Sequence, residues 1–248
     1  MVAVTVLRHE WRPAIRPAPP GVAIAAVGDV HGQIDLFAAL RDVLEEEIAS
    51  APERIFVSVG DLVDRGPGSL AALRLARAAP QGATAITLRG NHEDVLLDVL
   101  AEPRPEVVAH WLEFGGGEVA DEAGVRVGES GWTDALKEAI GPDLLEWLDA
   151  RPTLWRIGDL VFVHAGLDPQ TSLAAQTDRT LMWIRRPWLE SAGPYAENVA
   201  VIHGHTPQRG VDLDHPHRIN LDTGAYRSGL LSGLVILGDR MRLVQAAR

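Results

Sequence analysis

An α/β fold is predicted by three features of the 248-residue sequence. Short apolar, β-branched runs alternate with segments that are apolar at helical spacing from residue 22 to residue 101. A mostly helical stretch, roughly 103–150, then interrupts this rhythm, and the chain beyond it is rich in strand patterns. The alternation implies parallel strands, because a strand-helix-strand crossover returns the chain to the same edge of the sheet.

Each element has its own signal. Residues 1–20 are rich in Pro and Arg and are expected to form a tail or a strap across the surface. "VAIAAVG" (22–28) reads as a buried strand, and "QIDLFAALRDVLEEEI" (33–48) as a helix with apolar residues at 34, 36, 37, 40, 43, 44 and 48. "RIFVSVG" (54–60) and "ATAITLR" (83–89) are the next strands; "GSLAALRLARAA" (68–79) and "EDVLLDVLA" (93–101) are the helices that follow them. Within the helical stretch, a triple glycine at 115–117 is a break. Strands are then expected at 152–158, 159–166, 198–204 and 217–224, with a helix over 178–190. "LSGLVILGDRMRLVQA" (231–246) reads as a hairpin whose Gly238-Asp239 turn puts Gly first, as a type II′ turn requires. Nothing marks an internal linker, so residues 21–248 read as one domain with 103–150 as an inserted lobe.

Composition narrows the chemistry. The net charge of −11 argues against a general nucleic-acid binder. With no cysteine, any metal must be held by oxygen and imidazole nitrogen. Charges interrupt the N-terminus where a signal peptide needs an apolar core, and no run approaches the ~18 apolar residues of a membrane span. A cytoplasmic monomer with no membrane or nucleic-acid partner is the expectation.

The polar residues of interest follow the strands. After the first three come "GDVHGQ" (28–33), "GDLVDRGPG" (60–68) and "RGNHED" (89–94), all leaving the carboxyl edge where open α/β sheets bind ligands. Two later strands end in "FVHAG" and "IHGHT". Alone, each motif reads as a turn, a helix start or a hydrogen-bonded core histidine. Together they assemble Asp29, His31, Asp61, Asn91, His164 and His205, an oxygen and nitrogen set suited to Mn, Fe or Zn. Six ligands exceed the needs of one open catalytic ion and suit two ions sharing a carboxylate, ~3.5–4 Å apart. The pair His203 and His205 stays ambiguous on pattern alone, because extended residues two apart face the same way.

"GDVHG", "GDLVDRG" and "GNHE", with "HAG" and "GHT" later, resemble the signature of the calcineurin-like metallophosphoesterases in their phosphoprotein phosphatase form, as in lambda phage phosphatase and bacterial serine/threonine phosphatases. The resemblance covers residue 21 to the end. It implies two mixed sheets in a sandwich flanked by helices, with two divalent ions, Mn foremost and Fe or Zn as alternatives, at one edge. By motif, Asp29 and His31 would hold one ion, Asp61 would bridge, and Asn91, His164 and His205 would hold the other. The "GHT" match thereby selects His205 and leaves His203 to packing or support. Arg65, and Arg185 in "MWIRR" rather than its neighbour Arg186, would bind phosphate oxygens; Asn91 also borders the substrate. His92 would be the general acid, with Asp64 favouring its protonated form. Asp222 and Tyr226, in "NLDTGAYR", would reach the cleft rim.

These groups suit phosphomonoester hydrolysis, among the slowest uncatalysed reactions. Two cations acidify a shared water into a bridging hydroxide nucleophile, arginine forks bind the phosphoryl oxygens, and an imidazole protonates the leaving oxygen. The expected activity is a serine/threonine protein phosphatase, acting on a phosphorylated protein or a small phosphoester. The alternative is a symmetrical diadenosine tetraphosphate hydrolase, a group the chain resembles in "RGPGSL" and "LDTG". Asp64, "GNHE" and "GHT" speak for the phosphatase, since those hydrolases usually lack that aspartate and carry GNHD and GHW. "HWLEFGGGE" resembles a segment of bacterial members, but the following "VADEAG" departs from it.

Overall fold

Two mixed sheets face each other across an apolar core in the computed structural model, which describes residues 3–248. The larger sheet gathers β1 (Thr5–Arg8), β2 (Arg12–Pro13), β3 (Val22–Val27), β4 (Glu53–Ser58), β5 (Thr84–Thr87), β10 (Leu230–Leu237) and β11 (Arg240–Ala247). The smaller holds β6 (Leu154–Ile157), β7 (Leu160–Val163), β8 (Ala200–His203) and β9 (Arg218–Asn220) in that order. As the alternation predicts, β3, β4 and β5 are parallel, joined by α1 (Ile34–Ile48) and α2 (Ser69–Arg77), and α3 (Asn91–Ala101) follows β5. The sheet becomes mixed because β10 runs antiparallel to β3, and β11 antiparallel to β10.

The sandwich explains why β3 reads as an unbroken apolar run. Ala23, Ala25 and Val27 face the helices and share a core with Leu36, Phe37 and Leu40 of α1. Val22, Ile24 and Ala26 face the second sheet and meet Phe162 and Ile202. A strand covered on both faces has no polar side to show. The second sheet is covered in turn by Trp188, Leu181 and Tyr195 over Val161, Val163 and Val201.

The lobe is helical as expected: α4 (Pro105–Glu113), α5 (Gly117–Glu122), α6 (Trp132–Ile140) and α7 (Pro142–Asp149), with the triple glycine separating α4 from α5. Its apolar faces join the same core as α1 to α3, through Trp111, Val119, Leu136 and Leu148. In the hairpin turn Gly238 has φ +59, and Asp239 is not among the positive-φ residues, the pattern of a type II′ turn.

Two expectations are corrected. Within residues 3–20 the chain is more than a strap, since β1 and β2 pair antiparallel with β11 and extend the sheet. The helix expected over 178–190 stops early. It spans α8 (Asp178–Trp183), started by the Thr177 hydroxyl accepting from the Thr180 N–H at 3.2 Å, and Ile184 is already extended. Pro187 lacks the N–H a continuing helix needs, so Trp188–Glu190 forms a separate 3₁₀ turn. A short α9 (Ala225–Ser228) precedes β10. No helix among the described residues is long and apolar enough to cross a membrane.

Candidate metal centre

Five strand ends converge between the two sheets. Asp29 and His31 follow β3, Asp61, Asp64 and Arg65 follow β4, and Asn91 and His92 open α3. His164 follows β7 directly, and His205 lies two residues beyond β8. Sharp turns bring them together. His31 (φ 47), Asp61 (φ 53), Asp64 (φ 69), Arg65 (φ 68) and His205 (φ 71) all take left-handed backbone, which disfavours residues with a Cβ. Such strain costs about 1–3 kcal/mol per residue and collects where a fold over-determines a site.

The donor atoms form two groups, each within 4.8 Å: His31, Asp61 and His92, and Asp61, His164 and His205. Asp61 belongs to both. Its Oδ2 lies 3.3 Å from His164 Nε2 and 3.6 Å from His31 Nε2. Asn91 Oδ1 lies 2.9 Å from His164 Nε2 and 2.8 Å from His205 Nδ1. His31 and His164 each spend Nδ1–H on a backbone carbonyl, Val63 at 2.8 Å and Val59 at 3.0 Å. Neutral rings held that way present Nε2 lone pairs to oxygens that are themselves acceptors. Facing lone pairs repel unless a proton or cation lies between them, so the donor set fits divalent ions.

Charge agrees. Burial pushes Asp61 up, but His164, His92 and His31 outweigh it and hold the carboxyl well below its usual range. Burial pushes His164 down, and the Asp61 charge and hydrogen bond reverse this and raise it. Burial holds Asp29 well above its usual range, reinforced by the charges of Asp222 and Asp61. Burial likewise pushes Asp222 up to about 6. A cluster of buried carboxylates calls for positive charge.

The sequence-derived residues divide as follows. Asp29 is buried at the centre but outside both donor groups, its carboxylate accepting the His205 N–H at 3.0 and 3.2 Å. Arg65 reaches His31 Nε2 (3.1 Å) and His92 Nε2 (3.0 Å) with its two terminal nitrogens. Arg185 donates from Nε to His205 Nε2 at 3.3 Å, because the end of α8 turns it inward. Arg186 points away and pairs with Glu190 at 3.0 Å. Tyr226 lies edge-on to His31 (5.4 Å) beneath Arg65 (4.5 Å), and Asp222 is buried with Oδ2 unpaired. His203 turns away from the centre and packs against Trp188 at 5.3 Å, with Nδ1–H on the Gly204 carbonyl at 3.0 Å. The strand ends at His203, so alternation does not relate it to His205.

His92 Nδ1 and Asp64 Oδ2 are 2.6 Å apart, both groups buried. Burial, then the nearby Arg65 charge against the pull of Asp61, lowers His92 to about 4. Burial also raises Asp64 well above its usual range.

Three contributions escaped the sequence reading. The Glu93 carboxylate accepts the N–H groups of Gly90 (2.8 Å), Asp61 (2.8 Å), Leu62 (2.6 Å) and Val63 (3.2 Å), tying two of the loops together. Trp111 Nε1 donates to Asp64 Oδ1 at 3.2 Å, and the Gly115 carbonyl accepts the Arg65 N–H at 2.9 Å, so the lobe builds part of the site. A methyl group at Gly116 would overlap the Trp111 indole. Phe114, His110 and Trp183 form an aromatic wall, with Phe114 5.4 Å from His92 and Trp183 6.4 Å from His205. "HWLEFGGGE" was the available signal for the lobe; Glu93 stood in "GNHE" and Trp183 in "MWIRR", but neither motif assigned it a contact.

The family model for calcineurin-like phosphoesterases matches residues 22–233. A symmetrical bis(5'-nucleosyl)-tetraphosphatase of Dechloromonas aromatica is 31% identical over 78% of this chain and 68% of its own length. The chain spans 44% and 59% of two further relatives of that name. Serine/threonine-protein phosphatase 1 of Salmonella typhimurium is 32% identical over 83% of this chain and 88% of its own. A crystal structure provisionally assigned as a diadenosine tetraphosphatase superposes with TM-score 0.65 at 24% identity, over 92% of this chain and 95% of the other.

Proposed function

The chain belongs to the calcineurin-like phosphoesterase family, and on that premise we propose that it is a two-metal hydrolase of phosphoric esters and anhydrides whose substrate is a dinucleoside polyphosphate. The observation that carries the chemistry is Asp61, one carboxylate shared by two donor groups with two arginines beside them. Two divalent ions, Mn, Fe or Zn, held by Asp29, His31, Asp61, Asn91, His164 and His205, would acidify a water into a nucleophile at neutral pH.

The chain's own residues do the rest. Arg65 and Arg185 bind the phosphoryl oxygens, forked donors against a planar array of acceptors. An arriving phosphate draws Arg65 from its contact with His92 Nε2 and offsets the guanidinium charge. His92 then takes up a proton more readily and delivers it to the leaving oxygen, oriented by Asp64. Tyr226 braces Arg65 from below.

The substrate ranking reverses the one drawn from sequence. The names of the tetraphosphatase relatives favour the dinucleotide, split symmetrically into two nucleoside diphosphates. A phosphoprotein substrate is the second reading, supported by the 2.6 Å contact of His92 and Asp64 and by the Salmonella relative. A serine or threonine alkoxide is the poorer leaving group and gains more from an acid. The deciding experiment measures kcat/KM of the metal-reconstituted enzyme on diadenosine tetraphosphate, a phosphoserine peptide and p-nitrophenyl phosphate. The dinucleotide is expected to lead. A phosphopeptide ahead by tenfold or so makes the second reading the function, and no turnover of any of the three refutes both.

A further inference from the structure

Beside the metal centre, flanked by His110 and Trp183 of the aromatic wall, lies a cavity of about 390 Å³ between α3, α4 and α8. That is within the range of small-molecule sites. Val95 and Val107 give it apolar surface, His110 and Trp183 give it rings, and Asp94, Asp98 and Arg179 line it with polar groups. The His110 and Trp183 rings lie 27° from parallel with centroids 6.2 Å apart. The same wall touches the chemistry, since Trp183 abuts His205 and Phe114 joins His110 (4.3 Å) to His92 (5.4 Å).

The cavity's distance from the phosphoryl site is set by α3. Asn91 and His92 are its first residues, and Asp94 and Asp98 stand three and seven positions further on. At 1.5 Å per residue the cavity lies roughly 5–10 Å along the helix from the ligand Asn91. A nucleoside diphosphate spans such a gap from its terminal phosphorus to its base.

The polar lining selects the occupant. Three carboxylates would suit a cation, but Asp94 lies 3.9 Å from Arg89 and Glu106 lies 3.5 Å from Arg104. Arg179 sits on the same wall. What remains is a slot with aromatic faces, whose arginines Arg89 and Arg104 are shared with Asp149 at 3.3 Å and Glu102 at 3.4 Å. Asp98 has no ion-pair partner among the described residues and is an acceptor for an exocyclic amine. A flat, amino-bearing heterocycle fits the paired aromatic faces and the Asp98 acceptor.

We propose that this cavity receives an aminopurine base of the substrate, packed against Trp183 and His110 with Asp98 accepting from its amino group. The proposal rests on the dinucleotide reading and gives it a specificity site, yet its test does not depend on that reading. ADP and inorganic pyrophosphate are compared as inhibitors of p-nitrophenyl phosphate hydrolysis by the metal-loaded enzyme. The two share a diphosphate, and only ADP carries a base. ADP is expected to inhibit more tightly. Trp183→Leu should raise the ADP Ki on the order of tenfold, the scale of one base–aromatic contact, with the pyrophosphate Ki held within about twofold. Val107→Trp fills the cavity from α4, away from the metal ligands, and should do the same; Asp98→Ala should have a smaller effect. Calorimetric titration with ADP and with pyrophosphate gives the ranking without turnover. Equal inhibition by the two in the unaltered enzyme overturns the proposal, as does a variant that weakens both equally. So does a basic phosphopeptide whose KM moves in place of ADP binding. If ADP behaves as expected while diadenosine tetraphosphate is not cleaved, the base site stands and the dinucleotide reading falls.

Discussion

The carboxyl-edge loops and the helical lobe both build the centre, but they are held differently. The loops are extensions of strands fixed on both faces by the sandwich, so Asp61 and Asn91 have little freedom to be elsewhere. The lobe meets the centre through a few side-chain and loop contacts: Trp111 on Asp64, Gly115 beneath Arg65 and Phe114 against His92. The candidate metal donors, with Asp64 and Arg65, sit on the rigid part, and the groups that hold Asp64 and wall off His92 sit on the lobe.

The largest expected effect lies on the loops. Asp61→Asn should abolish turnover, and metal analysis should find fewer ions per chain; retention of both ions and of activity would break the distinction. His92→Asn should keep the ions and lower kcat by about 10²–10⁴-fold, the range of general acid catalysis. The loss should be greater for alkyl phosphates than for p-nitrophenyl phosphate, and equal losses would remove the acid role. On the lobe, Trp111→Phe removes one hydrogen bond to Asp64, worth about 1 kcal/mol. It should lower kcat on alkyl phosphates about fivefold, and a loss as large as that of His92→Asn would make the lobe an equal partner. Gly116→Ala should cost stability rather than metal, about 1–3 kcal/mol from overpacking against Trp111, read by urea unfolding.

The smallest effect concerns an edge residue outside the chemistry. Burial pushes His203 down to about 3, while in the unfolded chain it titrates near 6.5. Below that pH the unfolded chain binds a proton that the folded one refuses, so stability is full above about 6.5 and is lost as pH falls toward 3. His203→Gln should flatten the fall in unfolding free energy between pH 7 and 5 and change little above pH 7. An unchanged slope would place the acid sensitivity elsewhere.

Legibility followed the same division. The strand-helix rhythm, the hairpin turn and the ligand-bearing loops could be read because period and turn chemistry are local. Arg185 was named over Arg186 by motif match alone; what turns one inward and the other to Glu190 is where α8 ends. Glu93 was read as part of a motif and not as a clamp, because its four partners lie at three, thirty, thirty-one and thirty-two residues' separation. Trp183 and His110 stood in "MWIRR" and "HWLEFGGGE", but their pairing joins helices far apart in the chain, which neither segment encodes.

By itself, then, the sequence determined the fold class and which residue types stand at each strand end, because hydrophobic periodicity fixes the elements and crossovers fix the edge they share. Tertiary structure alone decided which of those residues touch. It turned His205 inward and His203 toward Trp188, put Trp111 under Asp64, and opened a cavity beside the candidate metal centre. Those outcomes depend on left-handed turns and on packing between segments distant along the chain, and no local pattern encodes either.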